Sequence, residues 1–159
     1  MKALKGLVVL FILSSVFAGC EKWKDYYHHE KEKNVYEKKN LPMSGLQEVP
    51  QRETMASGWA DVHYDKKTKM LKYTIKWKDL TGNPTGSHIH GTAARGKNAS
   101  IKHDFFSLFP KTTSGTFSHQ VMADGVAIKE DSLLNGFYYF NLHTAKFPGG
   151  EIRGQIEFK

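Results

Sequence analysis

From Leu41 onward the chain alternates apolar and polar residues with a period of two. Leu71, Tyr73, Ile75 and Trp77 alternate with Lys72, Thr74, Lys76 and Lys78. Successive side chains of a strand point to opposite faces, so this stretch predicts a half-buried strand with a lysine-rich wet face. Residues 57–64 repeat the pattern, with Ala60, Val62 and Tyr64 on one side. Residues 115–121 put Phe117, His119 and Val121 together. Residues 137–142 are apolar on both faces, as a central strand would be. A last strand alternates Glu151, Arg153, Gln155 and Glu157 with Ile152, Gly154, Ile156 and Phe158. Turn signals separate these runs at Asp65 to Lys69, at Gly82-Asn83-Pro84 and at Pro148-Gly149-Gly150. Only residues 127–135 suit a helical turn or two. Short strands joined by short turns predict an all-β domain. The expected form is an antiparallel sandwich or barrel with an immunoglobulin-like or superoxide-dismutase-like architecture.

The first forty residues follow a different pattern. Lys2 and Lys5 precede an apolar run from Gly6 to Ala18, which is too short and too abruptly ended to span about 30 Å of hydrocarbon as a mature helix. This reads as a secretory signal over residues 1–19. Its end, Phe17-Ala18-Gly19-Cys20, resembles a bacterial lipobox, with Phe17 where leucine is usual. The resemblance implies cleavage before Cys20, a diacylglycerol thioether on its Sγ and an acylated N-terminus. Several acyl chains, each methylene worth about 0.8 kcal/mol, would hold the protein on a membrane. Cys20 is the sole cysteine, so no internal disulfide forms. The six lysines and five acids of residues 21–40 nearly cancel, and that segment reads as a solvated spacer. His28-His29 within it reads as solvated rather than as a metal site. The predicted organisation is a signal at 1–19, a lipidated cysteine and tether at 20–40, and a β domain at 41–159.

Three motifs resemble the chordin-type (CHRD) domain. They are Leu41 to Pro50, containing Gly45-Leu46-Gln47-Glu48-Val49-Pro50; Gly86-Ser87-His88-Ile89-His90-Gly91; and Asn141 to Gln155. Their order and spacing agree with that family over residues 41–158. The resemblance implies an extracellular all-β module, of a kind found in secreted animal proteins and in bacterial envelope proteins.

His88 and His90 lie two apart, so on a strand both project from one face. His143 ends one strand and Glu151 opens the next, which makes them expected neighbours. If that corner meets the His88 strand, three histidines and a carboxylate converge, a donor set suited to zinc or copper. The favoured reading of the same residues is a structural polar network, in which Arg153 pairs with Glu48 or Glu151 and the histidines bond to backbone carbonyls, ahead of the metal site. The His-x-His pair also looks like copper/zinc superoxide dismutase, but the rest of that enzyme's ligand pattern is missing. His63, His103 and His119 read as surface or packed residues.

Other chemistry finds little support. No Gly-x-Ser-x-Gly elbow occurs, and Arg95 to Asn98 lacks the rest of a phosphate-binding loop. The formal charge is +7, but Lys66, Lys67, Lys69, Lys72, Lys76 and Lys78 cluster on one hairpin. That reads as a solvated face guarding a sheet, not as a nucleic-acid surface. The expectation is a non-enzymatic envelope module, binding or structural, whose partner is an unknown protein, glycan or small ligand, with a zinc- or copper-binding protein as the alternative.

Overall fold

The computed structural model describes residues 33–159. The lipobox, Cys20 and His28-His29 lie outside the described residues. Within them, eight strands form one antiparallel sheet: β1 (Val35–Ser44), β2 (Ser57–Asp65), β3 (Met70–Lys78), β4 (Pro84–Gly91), β5 (Ile101–Asp104), β6 (Gly115–Met122), β7 (Tyr138–Thr144) and β8 (Ile152–Ile156). The strand order is β5-β4-β7-β8-β1-β2-β3-β6. The sheet rolls into a nearly closed barrel. Its edge strands β5 and β6 meet through side chains: His103 stacks on His119 with ring centroids 5.7 Å apart, and Phe105, just after β5, stacks with Phe117 at 5.6 Å. The one α-helix among the described residues, α1 (Glu130–Leu134), falls inside the predicted helical segment. No helix among the described residues is long and apolar enough to cross a membrane.

The alternation in the sequence is the inside–outside alternation of this barrel. Ala60, Val62 and Tyr64 from β2 face Leu71, Tyr73, Ile75 and Trp77 from β3, and Ile89, Phe140, Leu142, Ile152 and Ile156 complete the same core. Each valine, leucine, isoleucine or phenylalanine among them contributes about 1.5–3 kcal/mol when fully buried. Between β8 and β1 the backbones approach closely where Ser44 pairs with Arg153. A Cβ on Gly154 would lie 2.5 Å from Met43 Cγ and 2.9 Å from the Pro42 carbonyl, so only glycine lets these strands close.

Strand β1 takes in residues 35–40, the end of the segment expected to be spacer. The alternation there is hidden for two reasons. Most of those positions are exposed, and a register shift falls between Lys38 and Leu41. At that bulge Asn40 adopts φ 56° and donates its backbone N–H to Asp61.

Candidate metal centre

Strands β4, β7 and β8 carry a second buried layer, on the face opposite the core. Register fixes its rows: His88 opposes Asn141 and Asn141 opposes Arg153, while His90 opposes Tyr139 and Tyr139 opposes Gln155. His143 opposes Gly86. The segments at 45–52 and 92–100 supply partners for this layer. Asn141 Nδ2 donates to Glu48 Oε2 at 3.3 Å, Arg153 Nη2 to Lys97 O at 2.8 Å, and Gln155 Nε2 to Ala93 O at 3.0 Å. Polar groups withdrawn from water require such partners, and here loop backbone provides most of them.

Three histidines meet at one end of the layer. One ring nitrogen from each of His88, His90 and His143 lies within 4.8 Å of the others, and no carboxylate joins this cluster among the described residues. His88 Nδ1 is 3.1 Å from His143 Nε2. Two ligands at about 2.0–2.1 Å from a tetrahedral ion stand at nearly that separation. Gly86 makes the approach feasible, since a Cβ there would lie 2.9 Å from His88 and 3.3 Å from His143. Backbone carbonyls, which only accept, orient two of the rings. His90 Nδ1–H donates to Ala99 O at 2.9 Å, and His143 Nδ1–H to Pro148 O at 2.9 Å. Each therefore presents a bare Nε2, and that of His90 is buried without a protein partner. Such outer contacts fix both tautomer and ring angle.

Burial also keeps the rings neutral. It lowers His88 to about 4, with further help from the neighbouring His143. His90 and His143 are likewise lowered, chiefly by burial. Neutral imidazoles retain the lone pairs that metal ions require. His90 also stacks on Tyr139, rings parallel within 4° and centroids 5.0 Å apart. The Arg153 guanidinium covers the other partner of this stack, 3.4 Å from the Tyr139 centroid.

Glu151 does not join the histidines. Its carboxylate is fully buried and accepts from Thr54, Thr81 and Thr144. Its partner Thr144 lies one residue beyond His143 on β7 and therefore on the opposite face of the strand, and Glu151 itself precedes β8, where the turn through Gly150 at φ 117° breaks the strand alternation. Arg153 likewise makes its hydrogen bonds to Lys97 O, Asn98 Oδ1 and Gln155 Oε1. Glu48 acts on it through charge at longer range. His63 sits on the outer surface against Glu37, whereas His103 and His119 are packed in the seam. Sequence reasoning missed Tyr139, Asn141 and Gln155, although the last two lie inside the third motif. It also missed Asp104, whose place opposite His88 depends on the β4–β5 register.

An all-β barrel with a polar layer on its outer face, ending in a cluster of three neutral histidines, is the class of protein this geometry defines. The CHRD-domain family profile matches residues 40–156, and the chain belongs to that family. No curated protein and no solved structure matches it significantly.

Proposed function

We propose that this chain is a CHRD-domain binding module, held on the extracytoplasmic face of a bacterial envelope membrane by lipid on Cys20, that takes up zinc or copper at His88, His90 and His143. The observation that carries the metal reading is the meeting of three imidazole nitrogens within 4.8 Å. That they come from two strands and are neutral supports it. Three nitrogen donors suit both metals and leave a coordination position for an outside donor. The reading is of a binding protein and not an enzyme. It is supported by the lack of a nucleophile elbow and by a single cysteine that the anchor would consume.

Metal analysis of the full chain, purified without a histidine tag, tests the site. One equivalent of zinc or copper is expected, and a His88→Ala/His90→Ala variant should lose it. A wild-type chain that cannot be loaded with either ion would dismiss the reading. For the anchor, Cys20→Ser should accumulate as unprocessed precursor and stop labelling with palmitate. Normal maturation of that variant would remove the lipid from the proposal.

A further inference from the structure

We infer that Asp104 is a positioning residue for His88, and that metal uptake moves the His88 hydrogen from Nδ1 to Nε2. This rests on the metal reading above. The argument begins with His143, whose Nδ1–H is committed to the Pro148 carbonyl. Its Nε2 therefore carries only a lone pair, and the atom facing it at 3.1 Å is His88 Nδ1. Two bare nitrogens would repel at that distance, so in the metal-free protein His88 Nδ1 holds the hydrogen and donates it.

That assignment leaves His88 Nε2 bare. It faces Asp104 Oδ2 at 3.8 Å. Two acceptors facing one another do not form a hydrogen bond, and 3.8 Å is well beyond one. The carboxylate is nevertheless held in place. Asp104 opposes His88 in the β4–β5 register, and its Oδ1 accepts the Phe106 N–H at 2.8 Å, which leaves Oδ2 turned toward the imidazole.

In the cluster it is Nδ1 of His88 that lies beside the bare nitrogen of His143. For His88 to ligate, Nδ1 must give up its hydrogen, and the neutral ring must carry it on Nε2. That is the side on which Oδ2 of Asp104 waits as an acceptor. Asp104 thus gains a hydrogen bond only in the loaded form. Its charge favours metal-bound His88 without favouring the metal-free tautomer, which is how a carboxylate behind a ligating histidine raises affinity. The edge strand β5, short and otherwise peripheral, acquires a task from this geometry.

The test combines zinc affinity, measured by competition with a chromophoric chelator, with nitrogen-15 spectra of the histidine rings in the full chain. Metal-free protein should show His88 with hydrogen on Nδ1, and zinc-loaded protein should show it on Nε2. Asp104→Asn should bind zinc about 10–100-fold more weakly, because outer partners of ligating histidines have effects of that size. Its amide N–H groups would face bare Nε2 and stabilise the metal-free tautomer. Asp104→Ala, which lacks that donor, should fall between wild type and Asp104→Asn. Zinc affinities equal within twofold across the three chains would overturn the role of Asp104. A zinc-loaded His88 that keeps hydrogen on Nδ1 would overturn the exchange. A wild-type chain that takes up no zinc would overturn the metal reading, and this inference with it.

Discussion

Replacing Arg153 by methionine should lower the unfolding free energy of the domain by about 3–5 kcal/mol, the range seen when one member of a buried charged network is removed. Arg153 is only 1% exposed and is among the largest fully buried side chains of the protein. Its guanidinium bonds to Lys97 O, Asn98 Oδ1 and Gln155 Oε1 and lies flat on Tyr139. Methionine keeps much of the stem but supplies no donor. The buried Gln155 Oε1 would then lose its hydrogen bond from the guanidinium, at about 1–3 kcal/mol for an unsatisfied buried group. Arg153→Lys should recover little of the loss, because an ammonium neither forks to three acceptors nor stacks on a ring. Urea denaturation at pH 8 with chelator present would measure both variants. A loss below about 1 kcal/mol for methionine would show that Arg153 is not what holds the 92–100 segment to β8. The same variant should bind zinc more weakly, since the Arg153–Tyr139–His90 stack fixes the ring of one proposed ligand.

The barrel core was legible because its alternation is strict. On β3 the buried residues Leu71, Tyr73, Ile75 and Trp77 are separated by single outward residues. The polar layer was legible only in part, because it breaks the rule that the outer face of a strand is wet. His90, Asn141, Arg153 and Gln155 sit on that outer face yet are buried beneath loops. Nothing in a period of two announces a covering loop. The His88–His90 pair could be placed on one face by spacing alone. The arrival of His143 beside it required the antiparallel β4–β7 register that sets His143 opposite Gly86. Glu151 failed for a related reason: adjacency along a hairpin does not fix the face. Gly150 adopts φ 117°, Glu151 N–H returns to Leu142 O, and the carboxylate lands among threonines. Asp104 gave no signal, since β5 has four residues and no apolar alternation.

Glu48→Gln should stabilise the protein progressively, relative to wild type, as pH rises from about 4.5 to about 7. Glu48 is 4% exposed, and its Oε1 has no hydrogen-bond partner. Burial pushes its carboxyl up from 4.5 to about 7, against the opposing charges of Arg153 and Arg52 and the hydrogen bond from Asn141. Between those two values the native state holds a proton that the unfolded chain has released. Stability contributed by this group is therefore complete below pH 4.5 and lost as pH rises through about 7, where the buried carboxylate is ionised. At 1.36 kcal/mol per unit, the loss amounts to about 3 kcal/mol. The histidines oppose this trend. His88, His90, His103 and His143 are held below their usual value, so what they contribute is present above about 6.5 and lost as pH falls. A stability profile of wild type alone would mix the two. Subtracting it from that of Glu48→Gln, both metal-free, cancels the histidines and leaves Glu48. The glutamine variant keeps an acceptor for Asn141 Nδ2 and remains neutral throughout, so the difference should climb by about 3 kcal/mol across the window and then level off. A difference independent of pH would mean that Glu48 titrates in the fold as it does in water, and the segment from Gly45 to Pro50 would then have to admit solvent to its carboxylate.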